Sequence, residues 1–255
     1  FILNLFEYEN LSVFLSAPTG RASKRLSDTT GKDAKTLHRL LEYNPKTNSF
    51  NRNADNPLNC DLLIVDEASM IDIKLARSML DALDEKTRII FVGDYDQLPS
   101  VGPGNVLSDI INSNKFSVIR LTKIYRQFGN SKIIQNAHMI RDGLYPKLYL
   151  SNNNEKSDFY FVEKNDQEEA LKTILRLLCQ NIPDRFGFNP VKDIQIIVPI
   201  YKGISGVDNL NIQVQKILNK SDIKILKGNM ELRLHDKVIQ QKNDYEKDVY
   251  NGDIG

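Results

Sequence analysis

The stretch LLIVDEASM, residues 62–70, joins an apolar run to two adjacent carboxylates. Four apolar residues in a row predict a strand that is buried on both faces, as in a parallel sheet. Asp66 and Glu67 follow at its carboxyl end, where an open α/β sheet places its ligands. Magnesium on nucleotide phosphates prefers hard oxygen ligands of this kind, with Asp66 orienting the ion and Glu67 polarising a water. The alternative is structural: the strand ends in a helix cap, in which Asp66 and Ser69 bond free backbone N–H groups.

The composition is that of an ordinary globular protein. Of the 255 residues, 41% are hydrophobic and 26% are charged, which argues against wholesale disorder. We find no run that predicts a membrane span or the basic region of a signal peptide. Cys60 and Cys179 make neither a disulfide framework nor a metal cluster, so a reducing, cytoplasmic setting fits best. The net charge of +1 neither demands nor excludes nucleic acid.

Strands alternate with helices along the chain, which predicts right-handed βαβ units on a parallel sheet. The first domain is expected to close near residue 122, with a polar excursion or hairpin at 42–59. A β-rich segment is expected from 236 to 255. The predicted strands are 12–16, 62–65, 88–92, 116–121, 159–162 and 194–198. The predicted helices are 1–9, 21–26, 34–41, 71–83, 105–111, 131–141 and 168–178.

A second polar strand end occurs one βα unit later, in the stretch FVGDYDQLPS (91–100). The carboxyl ends of neighbouring parallel strands meet at one edge of a sheet, so this stretch is expected beside Asp66 and Glu67. Gln97 can donate to a phosphate oxygen and accept from a water, which suits a residue that senses a γ-phosphate. Asp94 and Asp96 are better explained as turn formers, and Gly93 as the residue of a sharp turn.

Basic residues follow the first predicted strand, beside the turn Pro18-Thr19-Gly20. They are Arg21, Lys24, Arg25, Lys32, Lys35, His38 and Arg39. As a cluster at a helix N-terminus they are a candidate site for nucleic-acid phosphates, although for any single one of them a place on a solvated helix face is the favoured interpretation. His38 is a candidate DNA contact or a packed or surface histidine. Arg126, beyond the predicted domain boundary, is a candidate arginine finger or an interdomain salt-bridge partner.

Six blocks, in their order along the chain, resemble the motifs of RecD-type DNA helicases. They are SAPTGRASKRL, LLIVDEASM, FVGDYDQLPSVGPG, LTKIYRQ, VPIYKGISGVDNLN and DKVIQQKNDYEKDVYNGDIG. These superfamily 1 enzymes move 5′ to 3′ and include the α subunit of exodeoxyribonuclease V. The resemblance implies an α/β P-loop NTPase fold with two RecA-like parallel-sheet domains, 1–122 and 123–235. It also implies a small strand-separating pin at about 42–59 and an SH3-like insertion that starts at about 236.

The resemblance also implies roles for single residues. With ATP and Mg²⁺ as cofactors, Asp66 would bind the metal and Glu67 would activate water. Gln97 would couple the γ-phosphate to the DNA groove, and Arg126 would be the arginine finger. The implied DNA contacts are Pro18, Thr19, Gly20, Arg21, Tyr201 and Lys202. The implied partners are single-stranded DNA, duplex ends and other exodeoxyribonuclease V subunits, without a membrane.

The sequence departs from the family pattern in two respects. The last family motifs, a helix with a second arginine and a Gln-Gly DNA contact, do not occur in it. No G-x-x-x-x-G-K-[ST] occurs, so the loop that cradles the β- and γ-phosphates is missing. We expect an internal fragment of an ATP-dependent 5′–3′ helicase of recombination and repair, with both RecA-like domains truncated and little ATPase activity of its own. Two alternatives remain at this point: the helicase portion of a conjugative relaxase, and a non-hydrolysing DNA-binding module.

Overall fold

The structure is a computed structural model that describes residues 2–121, 131–148, 157–228, 230–242, 244, 247, 249 and 251–255. Contacts between Cα atoms divide the chain into two units. The first unit comprises Phe1–Lys123 with Ile239–Ile254, and the second comprises Ile124–Val238 with Gly255. In the described part of the chain, every helix is too short or too polar to cross a lipid bilayer.

The first unit is built on a four-stranded parallel sheet with the strand order β2-β1-β5-β6. Its helices and strands are, in chain order, α1 (Ile2–Tyr8), β1 (Val13–Ala17), α2 (Gly20–Thr30), β2 (Ala34–Thr36), α3 (Leu37–Leu40), β3 (Tyr43–Asn44), β4 (Ser49–Phe50), β5 (Leu62–Val65), a 3₁₀ turn (Ala68–Met70), α4 (Ile73–Asp81), β6 (Arg88–Phe91) and α5 (Val106–Asn112). The α/β class and the parallel sheet predicted from the sequence are confirmed in this unit.

Strand β5 forms the centre of the core, and all four of its side chains are buried. Leu63 and Val65 pack into a cluster with residues of α3, α4 and α5. Leu62 and Ile64 pack on the other face, against α1 and α2. Successive side chains of a strand point to opposite faces, so an all-apolar strand holds two helical layers together. Each buried Leu or Val contributes about 1.5–3 kcal/mol of hydrophobic stabilisation.

The structure corrects the helix predicted at 34–41. Residues 34–36 form β2, which pairs in parallel with β1, and the helix that follows is only one turn long. Ser16 Oγ donates to Lys35 O (2.9 Å), and Ala34 N donates to Ser27 Oγ (2.8 Å). These bonds to distant residues hold Ala34-Lys35-Thr36 at the sheet edge. Residues 34–36 show no strand pattern of their own, so their pairing with β1 determines their conformation.

The predicted excursion at 42–59 contains a short antiparallel hairpin, β3–β4, with Tyr43 opposite Phe50. At its base Arg52 pairs with Glu42, with a shortest nitrogen–oxygen distance of 2.7 Å. At its tip Tyr43 Oη donates to Asn48 Oδ1 (2.5 Å), and Asn48 adopts a positive φ of 52°. A left-handed Asn at a tight turn is favourable because its short side chain tolerates that region. The hairpin prediction is therefore confirmed.

The second unit is mainly helical in its described part. Its elements are α6 (Lys132–Arg141), α7 (Gln167–Arg176), a π-helical turn (Leu177–Asn181), α8 (Ile182–Phe186), α9 (Val207–Leu218), β7 (Lys224–Lys227) and β8 (Met230–Arg233). Strands β7 and β8 form an antiparallel hairpin. The carboxylate of Asp236 ties it to α9, because it accepts from the side-chain amides of Gln215 and Asn219. Helix α9 and this hairpin were not among the sequence predictions.

Three strand predictions are wrong. Residues 116–121, 159–162 and 194–198 form no regular strand, and Ile119, Leu121 and Ile197 are about 90% exposed. In the described part of the chain no strand lies in a ladder with these stretches. A strand gains its hydrogen bonds and its burial only from such neighbours, so an apolar run alone does not form one. The terminal segment, in contrast, makes antiparallel bridges at Ile239–Ile254 and Asp244–Val249, as the β-rich prediction for 236–255 requires.

Candidate nucleotide and nucleic-acid site

The carboxyl ends of β1, β5 and β6 lie side by side at one edge of the sheet. Asp66 N donates to Ser16 O of β1 (2.9 Å), and Val92 N donates to Val65 O of β5 (2.8 Å). The turn after β1, the Asp66-Glu67 pair and the Gly93-Asp94 pair therefore meet at this edge. The expected adjacency of the two polar strand ends is confirmed. An edge of this kind is where open α/β sheets bind their ligands.

Asp66 and Glu67 form a sharp turn at the end of β5. Both residues are half-buried, and Asp66 Oδ1 accepts from the N–H of Glu67 (2.9 Å). Glu67 adopts the left-handed conformation, with φ 51° and ψ 40°. A non-glycine residue pays about 1–2 kcal/mol for this conformation. Such local strain is retained most often where the side chain has a function, and here the strained residue is the predicted water-activating acid.

Gly93 is required by close packing at the end of β6. A Cβ at this position would lie 3.0 Å from Ala68 N, 3.1 Å from Ser69 N and 3.0 Å from Leu107 Cδ2. Two of these three atoms belong to the backbone of the turn after Glu67, and Ala68 N also donates to Val92 O (2.9 Å). The glycine thus allows the two strand ends to approach each other. From the sequence alone, Gly93 is expected only to form a sharp turn.

Gln97 lies in an exposed loop that begins at this edge. Asp94 forms the turn, since its Oδ1 accepts from Asp96 N (3.0 Å) and its carbonyl accepts from Gln97 N (3.2 Å). The structural role predicted for Asp94 is therefore confirmed. The side-chain amide of Gln97 lies 3.5 Å from Asp94 Oδ2. Gln97 can thus reach solvent or a ligand without breaking a strong internal bond.

The far end of the same loop rests on helix α4. Ile73 N donates to Pro103 O (2.9 Å), and Asp72, the N-cap of α4, accepts from Leu75 N (2.8 Å). A Cβ on Gly102 would overlap the Asp72 carboxylate at 2.1 Å, so the loop backbone lies directly on that side chain. Helix α4, which follows Asp66 and Glu67 in the chain, therefore also anchors the loop that carries Gln97.

The turn Pro18-Thr19-Gly20 leads from β1 into α2. Thr19 is the N-cap, and its Oγ1 accepts from Ala22 N (3.2 Å). Gly20 is buried, Pro18 is half-buried and Arg21 is exposed. The hydroxyl of Thr19 thus has a structural partner, and Arg21 is the exposed cation of this turn.

His38 belongs to an aromatic cluster with the hairpin β3–β4. Its ring centroid lies 5.5 Å from that of Tyr43 and 5.6 Å from that of Phe50. Partial burial among these rings lowers the pKa of His38, and the negative charge of Asp72 opposes this shift. The residue as a whole is nevertheless exposed. His38 is therefore a surface histidine that contacts the rings of the hairpin, in line with one of the two sequence interpretations.

Tyr201 and Lys202 lie in the second unit, in an exposed turn before α9. Val207 N donates to Ile200 O (3.0 Å), and Asp208 N donates to Tyr201 O (3.1 Å). A Cβ on Gly206 would lie 2.5 Å from Lys202 O, so only glycine allows this turn. Arg126 lies outside the described residues.

The carboxylates at the sheet edge fit a magnesium ion that is shared with a nucleotide. The described residues contain no group of three or more His, Cys, Asp or Glu side chains that could hold a metal ion unaided. Magnesium is commonly bound by one or two carboxylates together with substrate phosphates and water. Asp66 and Glu67 supply the carboxylates of such a site, and nucleotide phosphates and water would supply the other ligands.

The structural alternative for this strand end had Asp66 and Ser69 bonding backbone N–H groups. Asp66 does so, since its Oδ1 accepts from Glu67 N. For Ser69 the expectation is wrong: the residue is 6% exposed, and its Oγ has no hydrogen-bond partner in the described part of the chain.

Sequence reasoning missed one contact at this site. Tyr95, in the Gln97 loop, contacts Arg120. The two residues lie 25 positions apart, and no sequence pattern predicts their contact.

Two family models match the sequence. Residues 2–103 match an AAA domain, and residues 210–255 match the SH3 domain of ATP-dependent RecD-like DNA helicases. The first range holds the sheet and the polar strand ends. The second begins within α9 and contains the hairpin β7–β8, whereas the sequence interpretation starts the SH3-like insertion at about residue 236.

Curated relatives align with the whole chain or nearly so. The ATP-dependent RecD2 DNA helicase of Deinococcus radiodurans is 35% identical over 100% of this chain and 33% of its own length. The RecBCD enzyme subunit RecD of Mycolicibacterium smegmatis is 29% identical over 95% of this chain and 48% of its own length. The chain thus spans about a third to a half of these proteins.

A solved structure gives a more distant likeness. The Pif1 helicase from Bacteroides, in complex with ADP-AlF3 and ssDNA, is 21% identical, with a TM-score of 0.46 over 96% of this chain and 59% of that one. The likeness to RecD proteins rests on the sequence matches and not on this structure. The SH3 model of RecD-like DNA helicases matches the end of the chain, and parts of two RecD proteins align with 95–100% of it, so the chain is RecD-like in sequence.

Proposed function

We propose that the protein is an ATP-dependent DNA helicase or translocase that moves 5′ to 3′ on a single strand. The observation that carries this proposal is the sheet edge, where Asp66 and Glu67 meet the turn after β1 and the loop of Gln97. Two curated relatives, of Deinococcus radiodurans and bacteriophage T4, are named as ATP-dependent DNA helicases. We assign the activity to the full-length protein, since those relatives are longer than this chain.

ATP hydrolysis would use the strained turn after β5. Asp66 would hold Mg²⁺ through its carboxylate, and Glu67 would accept the proton of the attacking water. The bound metal would neutralise charge on the phosphate oxygens. Gln97, which is exposed at the loop surface, would contact the γ-phosphate. Arg126 would stabilise charge on the transferring phosphoryl group.

DNA would be held mainly through its phosphates and by stacking of bases, with little sequence preference. Arg21 is the exposed cation of the turn after β1, and the backbone of Pro18, Thr19 and Gly20 would line the same path. Tyr201 is 75% exposed beside the exposed Lys202, which suits stacking and phosphate contact respectively. The hairpin β3–β4 would act as the strand-separating pin. Other RecBCD-type subunits are proposed partners, and the cytoplasm is the proposed compartment.

The test is ATP hydrolysis by the full-length protein, with and without single-stranded DNA. Glu67→Gln keeps the size of the side chain but removes its basicity, so the turnover number should fall by about 10²–10⁴-fold. Glu85→Gln, an exposed acid in the turn before β6, is the matched control and should hydrolyse at the wild-type rate. The 255-residue chain alone is expected to hydrolyse little ATP.

Two results would overturn the proposal. Undiminished hydrolysis in Glu67→Gln would remove Glu67 from the chemistry. Tight binding of single-stranded DNA without any hydrolysis by the full-length protein would instead identify a non-hydrolysing DNA-binding module.

A further inference from the structure

The loop that carries Gln97 is held at both of its ends. At its start the Asp94 carboxylate accepts from Asp96 N (3.0 Å) and forms the turn. At its end Ser100 Oγ donates to the carbonyls of Gly102 (2.9 Å) and Gly104 (3.1 Å). Between these points the chain lies at the surface, and the side chain of Leu98 is 87% exposed. Gln97 therefore lies on an exposed part of the loop.

Tyr95 gives this exposed part a contact with a distant segment. The guanidinium carbon of Arg120 lies 5.1 Å from the centroid of the Tyr95 ring. Arg120 Nη1 also donates to Tyr95 Oη (3.2 Å). Ring and hydroxyl are thus both engaged by one guanidinium, whose planar fork suits stacking and hydrogen bonding together. The loop also carries Asp94 and Asp96, so a cation at this place is electrostatically favourable.

Arg120 lies in the segment that follows α5, six residues before Arg126. That segment has no ladder of its own in the described part of the chain. The pair Tyr95–Arg120 therefore links the loop of the proposed phosphate sensor to the chain that leads to the proposed arginine finger.

We propose that Arg120 is a positioning residue, which holds the Gln97 loop in place by clamping Tyr95. The expected effect of Arg120 on ATP turnover rests on the proposed function, whereas the contact between Tyr95 and Arg120 does not depend on it. Arg120 acts through Tyr95 and touches neither nucleotide nor metal in this scheme. Its loss should leave ATP binding intact but let Gln97 leave its working position.

The first measurement is hydrogen exchange of the backbone amides of residues 94–98 in the full-length protein. An exposed cation–π contact stabilises by an amount that corresponds to about a two- to five-fold change in equilibrium. Arg120→Ala and Tyr95→Ala should therefore raise exchange in this loop by a similar factor. Tyr95→Phe, which keeps the ring but not the hydroxyl, should give a smaller rise. Arg77→Ala, an exposed arginine on α4 that pairs with Asp81, is the control and should change nothing.

The second measurement is DNA-stimulated ATP hydrolysis by the same variants. We expect Arg120→Ala to lower kcat about two- to five-fold with an unchanged KM for ATP, and Arg120→Lys to restore part of the loss. Unchanged exchange in Arg120→Ala would overturn the clamp. Raised exchange with wild-type kcat would overturn its part in turnover. If Glu67→Gln also hydrolyses ATP normally, the proposed function fails, and the exchange data still decide whether the clamp exists.

Discussion

Two stretches of this chain look alike in sequence and differ completely in structure. Leu62–Val65 in the first unit and residues 194–198 in the second are both short runs dominated by Leu, Ile and Val. The first is a strand with a neighbour on each side and four buried side chains. The second is irregular, and its Ile197 is 91% exposed.

The difference lies mainly in the partners, since four of the five residues in 194–198 are also apolar. β5 pairs with β1 and β6 and receives helices on both faces. In the described part of the second unit, the buried hydrophobic side chains are Leu178 and Leu210. A short apolar run becomes a strand only where other strands complete its ladder, because its N–H and C=O groups need partners. The first unit supplies those partners.

Truncation of one side chain in each stretch should give the largest contrast. Leu63→Ala removes a fully buried side chain and should lower the free energy of unfolding by about 2–5 kcal/mol. Ile197→Ala removes an exposed one and should change it by less than about 0.5 kcal/mol. Urea unfolding of both variants measures the contrast. A similar loss in the two variants would mean that residues 194–198 are buried after all.

The helix caps of the two units offer a smaller contrast. Asp72 caps α4 and also supports Gly102, whereas Asp166 caps α7 at an exposed position. Replacing either by Ala should cost about 0.5–2 kcal/mol, with Asp72→Ala at the upper end because the Gln97 loop loses its support as well. Thermal unfolding gives the ranking, and the Asn variants, which keep an acceptor, serve as controls. A greater loss for Asp166→Ala would contradict the anchoring of the loop by α4.

The smallest expected effect is a pH dependence confined to the first unit. Burial lowers the pKa of His38, so the unfolded chain takes up a proton below about pH 6.5 more readily than the folded one does. The stability of this unit should therefore fall as the pH drops from about 6.5 toward the lowered value. Urea unfolding across this range should show the decline in the wild type but less of it in His38→Phe.

Asp72→Asn provides the control for this pH dependence. The negative charge of Asp72 favours the protonated ring and so opposes the effect of burial. Its removal should lower the pKa of His38 further and steepen the loss of stability at acidic pH. An identical pH profile in wild type and His38→Phe would show that the cluster with Tyr43 and Phe50 does not bury the ring.

The sequence alone determined the central strand and its polar end. Leu62–Val65 is uniformly apolar, and Asp66 and Glu67 interrupt the run abruptly, so the local sequence specifies both the buried strand and the point where it ends. The turn at Asp94 and the hairpin within 42–59 were equally predictable. Their residue types favour turns through their own side-chain hydrogen bonds.

Only the tertiary structure decided that residues 34–36 form β2 and that residues 116–121, 159–162 and 194–198 form no regular strand. It also decided that Tyr95 contacts Arg120. Each depends on a neighbour that is distant in the sequence. The hydrogen bonds that hold Ala34-Lys35-Thr36 come from β1 and α2, not from the tripeptide itself. Pairing and stacking belong to two segments at once, and a pattern read along one segment cannot specify its partner.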